Sequence, residues 1–221
     1  MNIYPSILTD NELEAQKQLT VCAESGLVQA VQVDVIDGYF VDNMTIFPSS
    51  LEGMEFGELE VDFHLMTEEP LDFVREIADF KDQIPVKAVI GQIEQMSNQE
   101  LFVDEVRRNN WDIGLSLNIH TPLESVEDDL WERINVIQLM SIQAGAQGKK
   151  FNEYIFEKLA QLHELILEKN LRLEIMVDGG VNLENISKLQ EYGVTTVTPG
   201  SYLWKAEDFV EAFQNLEAEV D

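Results

Sequence analysis

Cysteine is almost absent from this chain of 221 residues: Cys22 stands alone, so no disulfide can form within it. Basic side chains are also scarce. Fourteen Lys and Arg face 42 Asp and Glu, a formal net charge of −28. That charge repels nucleic-acid phosphates and anionic lipid headgroups, which excludes nucleic acid and acidic membranes as natural partners. No apolar run approaches the roughly 18 residues of a membrane span. The amino-terminal stretch MNIYPSILTDNELEAQ lacks a basic start with an apolar core behind it, so a cytoplasmic protein is expected. Linkers rich in Pro, Gly or Ser, low-complexity tracts and blocks of like charge are missing too, which predicts one domain over residues 1–221. What is present is a hydrophobic content of 45%, enough to fill a sizeable core.

A short apolar, β-branched run followed by a turn and an amphipathic stretch recurs along the chain. The strand candidates are Ile3–Leu8, Ala30–Val35, Leu59–Leu65, Val86–Ile90, Ile113–Leu117, Val136–Ser141, Leu171–Val177 and Thr195–Thr198, each expected to lead into a helix. Before the seventh, Ile155, Leu159, Leu162 and Ile166 fall three or four apart on one helical face. Ser97–Glu100 and Thr121–Glu124 have capping-box spacing, with Pro122 suited to a first helical position. Strands alternating with helices demand parallel pairing, and eight units in this length fit a closed (β/α)8 TIM barrel better than an open doubly wound sheet. In such a barrel the chemistry belongs at the carboxyl ends of the strands.

Side chains on a strand alternate with period two, so Gln32, Asp34 and Ile36 share one face and Val31, Val33 and Val35 the other. The valines suit the helix side, which turns Gln32 and Asp34 into the barrel. In the next strand Asp62, His64 and Met66 alternate with Val61, Phe63 and Leu65, and in LEIMVDGGV Met176 and Asp178 alternate with Ile175 and Val177. A single acid at a strand end is commonly a helix cap, and a lone histidine is commonly a packing residue. Two aspartates and a histidine converging from three strands point instead to a site, because buried like charges repel unless a cation or a shared proton intervenes. Glycines follow the last three strands: Gly145 and Gly148, then Gly179 and Gly180, then Gly200 beside Ser201. Barrels bind phosphate there through backbone amides, which an acidic protein can offer without an arginine.

The segments PSIL at Pro5–Leu8, VDVIDGYFVDN at Val33–Asn43, DFHLM at Asp62–Met66, MSIQAGAQGKKF at Met140–Phe151 and VDGGVNLENI at Val177–Ile186 resemble the ribulose-phosphate 3-epimerase family, in order over nearly the whole chain. The resemblance implies a (β/α)8 barrel that interconverts ribulose 5-phosphate and xylulose 5-phosphate with a divalent metal (Mn, Fe or Zn). It implies that Asp34 and Asp178 are the acid/base pair and also metal ligands, with His64 a third ligand. Ser6 would contact substrate, and Met66 and Met140 would pack beside the intermediate. Gly145, Gly148, Gly179, Gly180, Gly200 and Ser201 would hold the phosphate. Inverting C3 of a ketose means removing the proton α to the carbonyl and returning one on the other face, which two flanking carboxylates can do. The resemblance also implies self-association, although no residue marks a contact surface.

The chain departs from the family pattern at the metal. Gln32 stands where a second histidine is usual, and an amide oxygen is a weaker, harder ligand, which predicts looser binding shifted from zinc toward manganese or iron. Ile36 replaces a methionine. The segment Ala144–Gly148 replaces a proline followed by a glycine-richer loop, with Gln147 in place of a glycine, and its amide side chain would either obstruct the loop or add a donor. His120 stands where many members have glycine and is a candidate extra site group, while His163 on a helix reads as structural. Two other functions compete: a barrel that binds a sugar phosphate or a protein without catalysis, and a sugar-phosphate lyase or decarboxylase. The latter would carry a lysine between two acids, and Asp34-Val35-Ile36-Asp37 has none. A Schiff-base aldolase is disfavoured in the same way, because Lys87 falls near the start of its strand.

Overall fold

The computed structural model describes residues 1–145 and 148–220. Its strands are β1 (Asn2–Ile3), β2 (Ser6–Ile7), β3 (Ala30–Ile36), β4 (Glu60–Met66), β5 (Val86–Gln92), β6 (Asp112–Leu117), β7 (Val136–Met140), β8 (Glu174–Asp178) and β9 (Thr196–Thr198). All pair in parallel in one sheet, ordered β1-β9-β8-β7-β6-β5-β4-β3-β2. The two ends of that order are successive pieces of one extended stretch. Tyr4 donates its N–H to the Val197 carbonyl (2.9 Å) on one side, and the Pro5 carbonyl accepts from the Gln32 N–H (3.0 Å) on the other. The expected first strand is thus split at Tyr4–Pro5, where proline, having no N–H, sits as the chain changes partner. This shared stretch joins the ends of the sheet into a TIM-barrel fold.

The helices are α1 (Glu12–Ser25), α2 (Pro70–Asp79), α3 (Gln99–Arg108), α4 (Ile155–Lys169), α5 (Ile186–Glu191), α6 (Ser201–Trp204) and α7 (Phe209–Ala218). Local chemistry sets their ends. The Asn11 side chain accepts from the N–H groups of Leu13 and Glu14 to start α1, and Gly26 ends it at φ 65°, a conformation glycine adopts without strain. Ser97 does not cap α3; Asn98 does, accepting from Leu101 N–H. Helices also fail to follow two strands. After β3 there is one short 3-10 turn, Pro48–Leu51, and after β6 two of them, Leu123–Ser125 and Asp128–Leu130. Acids at Glu124, Glu127 and Asp128 would stack on one helical face and repel, and two turns still bury Leu123, Val126 and Leu130. Where the period is unbroken it holds: Ile155, Leu159 and Leu162 of α4 are buried, and Ile166 packs against the same core.

All seven residues of β3 are buried, as expected of a parallel strand covered on both faces. Val31, Val33 and Val35 join the large apolar layer under the helices. The barrel interior combines a small apolar cluster of Tyr4, Ala30, Ala88, Ile90, Val136 and Met176 with many polar side chains. One irregularity matters. Val61 pairs with Val86 but Asp62 pairs with Ala88, so Lys87 is an extra residue at a bulge. A bulge re-aims a side chain, and Lys87 reaches inward to Asp62 (3.4 Å) and Glu174 (3.9 Å) at the amino-terminal end of the barrel. Cys22 lies buried in α1, its thiol pushed up to about 12 by burial, which leaves it a packing group. Among the described residues no helix is long and apolar enough to cross a membrane.

Candidate active site

Register brings the polar residues of three strands to one level. Asp34 pairs with His64 across β3 and β4, and Asp178 ends β8 opposite Met140 of β7. Their side chains meet inside the barrel. His64 Nδ1 lies 3.1 Å from Asp34 Oδ1 and 3.4 Å from Asp178 Oδ2, and the ring is fully buried. Gln32 Nε2 donates to the same two oxygens, at 2.9 Å to Asp34 Oδ1 and 3.1 Å to Asp178 Oδ2. Ser6 Oγ donates to the other oxygen of Asp34 at 2.6 Å. Five side chains from four strands thus converge on one point.

Burial pushes the Asp34 carboxyl above the usual range, and the charge of Asp178 adds to that; hydrogen bonds from His64 and Ser6 pull it back. His64 is pulled the opposite way. Desolvation alone would lower it, but hydrogen bonds to Asp178 and Asp34, with their charges, outweigh burial and raise it to about 10. On its far side, His64 Nε2 lies 3.0 Å from Gln92 Oε1. An amide oxygen accepts only, so Nε2 carries a proton toward it, and the ring is held with Nδ1 toward the carboxylates.

This donor set suits a divalent cation. Asp34, His64 and Asp178 each offer one ligand atom, all within 4.8 Å of one another. Two carboxylates balance the charge, and Gln92 supplies the outer hydrogen bond that orients a ligating imidazole. Gln32 stands beside them with its nitrogen, not its oxygen, toward the carboxylates, and its Oε1 is buried without a partner among the described residues.

A narrow cavity of about 30 Å³ lies above, lined by Ser6, Asp34, Asp178 and Ser201 among others. Met66, Met140, Gly145, Gly148, Gly179, Gly180 and Gly200 line it as well, so the residues anticipated for substrate border one space over the carboxylates. Ile36, Met66, Met140 and Ala144 form an apolar cluster there, flanked by Leu8, Phe40 and Val41. Gly145, after β7, packs against the segment after β3: Asn43 Nδ2 donates to the Gly145 carbonyl (2.9 Å), and a Cβ on Gly145 would collide with Val41. Gly148, Gly180 and Ser201 also face a second cavity of about 780 Å³ that Lys149, Lys150 and Lys188 line. Lys205 Nζ adds to this charge, 3.4 Å from where a Cβ on Gly148 would be.

Some anticipated residues lie elsewhere. His120 is exposed, its ring 5.5 Å from that of Tyr154, and it borders a different cavity with Phe40 and Glu94. His163 is bound to the Tyr192 carbonyl and packs on Gly193, as a structural residue would. Gln147 lies outside the described residues. Two supporting groups escaped the sequence reading. Gln92 continues the inward set Ala88, Ile90, Gln92, and ending that strand at Ile90 hid it. Thr45, in a loop without a period, donates to the Asp34 carbonyl (2.7 Å) and accepts from Ile36 N–H (2.9 Å).

The family model described as the ribulose-phosphate 3 epimerase family matches residues 2–204. The chain belongs to that family. Ribulose-phosphate 3-epimerase of Helicobacter pylori is 32% identical over 220 residues, covering 98% of each chain. The chloroplastic ribulose-5-phosphate-3-epimerase of Arabidopsis thaliana is 31% identical, covering 98% of this chain and 76% of that one. The relatives' names place this family member among isomerases. Structures similar in fold include KGPDC from Streptococcus mutans in complex with D-R5P, with a TM-score of 0.72, 12% identity and coverage of 99% and 96% of the two chains. A second is 3-hexulose-6-phosphate synthase from Salmonella typhimurium, with a TM-score of 0.62, 11% identity and coverage of 100% and 98%.

Proposed function

We propose that this family member, one barrel domain acting in the cytoplasm, inverts C3 of a ketose phosphate, interconverting D-ribulose 5-phosphate and D-xylulose 5-phosphate. One observation carries the reading: Asp34 and Asp178 reach one point from separate strands, both within hydrogen-bond reach of a single nitrogen. Carboxylates so placed can flank one carbon. One removes the proton α to the carbonyl while the other returns a proton on the opposite face, and the roles exchange in the reverse direction. Ser6 fixes the rotamer of Asp34 by donating to Oδ2.

Met66, Met140 and Ile36 exclude water around that carbon. Gly179 (φ 105°) and Gly180 (φ 65°) bend the chain after β8, and with Gly145, Gly148, Gly200 and Ser201 their backbone would hold the substrate phosphate, helped by the lysines beside them. Asp34, His64 and Asp178 would hold a divalent cation, manganese or iron in preference to zinc. When bound it would supply positive charge against the anion that develops on the substrate oxygens. The test is incubation with ribulose 5-phosphate and manganese in deuterium oxide. The expected result is xylulose 5-phosphate with deuterium at C3; no conversion and no exchange at high enzyme concentration contradict the reading.

A further inference from the structure

The amide of Gln32 competes with a cation for one place. Its nitrogen donates to Asp34 Oδ1 and Asp178 Oδ2, the oxygens that also face His64 Nδ1. A cation held by those three atoms would meet two N–H dipoles pointing the wrong way. Amide nitrogen is no remedy, since its lone pair is delocalised and ligates poorly. The opposite end of the group is idle: Oε1 is buried and has no hydrogen-bond partner among the described residues. No hydrogen bond to that oxygen opposes a half-turn about the last side-chain bond, whose torsion is broad and two-fold. The turn would bring the oxygen, a competent ligand, to the place of the nitrogen.

We propose that the Gln32 carboxamide works in two orientations, with NH2 toward the aspartates when they share no cation and Oε1 toward them when they do. The inference rests on the metal-assisted reading above and adds a role to this one side chain. A histidine cannot serve both states without changing its protonation or tautomer, because the nitrogen facing the carboxylates either carries a hydrogen or offers a lone pair. Glutamine does it by rotation. Loading must then break two hydrogen bonds to charged acceptors before a ligand bond forms. Affinity is lowered by that competition as well as by the weakness of an amide donor, and the two aspartates keep a partner when metal is scarce.

The test is NMR on full-length protein labelled with 15N at glutamine side chains, treated with chelator and titrated with zinc, which is diamagnetic. Gln32→Met assigns the Gln32 amide by its disappearance, and the His64 ring signals report whether zinc binds. With chelator, the Gln32 NH2 protons are expected to be shifted downfield and slow to exchange with solvent. At saturation they move, and exchange quickens at least tenfold, in step with the His64 signals. If the His64 signals shift while the Gln32 NH2 keeps its position and protection, the amide does not turn and the inference is overturned. If His64 is unmoved at millimolar zinc and its signals are not broadened by millimolar manganese, no cation binds, and the metal reading falls together with this one. As a second readout, Gln32→His is expected to bind zinc at least tenfold more tightly and to melt lower than the unaltered protein in chelator. Equal affinity and equal melting overturn the proposal.

Discussion

The barrel buries acids at both ends of its interior, and the two ends treat them differently. At the amino-terminal end Asp62 is fully buried against Lys87 Nζ at 3.4 Å, with Glu174 at 3.9 Å from the same nitrogen and the Tyr4 ring 4.7 Å beneath it. At the carboxyl end Asp34 and Asp178 face each other across an amide and an imidazole, under a cavity. The first pair is neutralised by a covalently fixed cation that a bulge delivers. The second faces an amide and an imidazole, which in the proposed reading make room for an exchangeable cation. Buried acids therefore do not by themselves mark a catalytic site; what marks it is compensation that is incomplete and lies beside an opening.

That contrast can be broken most sharply at the mouth. Asp34→Asn or Asp178→Asn is expected to lower epimerisation by about 10³-fold or more, since in the proposed mechanism each removes an acid/base group. Either change also relieves repulsion between like charges, so the melting temperature in chelator should hold or rise. A fall in melting with activity retained would make the mouth a structural pair like the other end.

The converse belongs to the amino-terminal end. Lys87→Met is expected to cost about 3 kcal/mol at pH 8, because it strands a buried carboxylate. Turnover by the protein that remains folded should be nearly unchanged. The pH dependence sharpens this. Burial, opposed by the Lys87 charge, raises Asp62 to about 6 from its ordinary 3.8. Between those values the native state holds a proton that the unfolded state has lost, so this contribution to stability falls as pH rises from about 4 to about 6. Below that window Asp62 is neutral in both states, and the damage from Lys87→Met should shrink. Chemical denaturation of the variant and the unaltered protein across pH 4–8 checks the sign.

Smaller effects separate support from bystanders at the mouth. Ser6→Ala removes the 2.6 Å hydrogen bond to Asp34 Oδ2 and should lower kcat by about tenfold, the worth of one hydrogen bond to a charge. His120→Ala should leave kcat/KM within about twofold, because the ring lies on another cavity. A large loss there would return His120 to the site.

Both ends were partly legible in the sequence. Period-two alternation turned Asp34, His64, Asp178 and Asp62 inward, because a strand covered on both faces leaves a polar residue only the barrel interior. The rule does not reach the inward turn of Lys87: a bulge arises from pairing between strands and leaves no trace in one strand's pattern. Pairing also hid the split at Pro5, whose two neighbours in the ring lie far apart in sequence. After β6, turns replaced a helix because burial of Leu123, Val126 and Leu130 outweighed a weak, acid-crowded period. Partnership within the site was the least readable feature. The pattern places Gln32 near the aspartates but says nothing of which end of its amide faces them.

The central claim is that each aspartate serves one face of C3, and hydrogen exchange from the two epimers separates the faces. Asp34→Asn and Asp178→Asn are each given ribulose 5-phosphate or xylulose 5-phosphate in deuterium oxide, and loss of hydrogen from C3 is followed by NMR. Each variant is expected to exchange one epimer without converting it, and the exchanged epimer is expected to differ between the two variants. Exchange of the same epimer by both, or conversion by either at the unaltered rate, would contradict it.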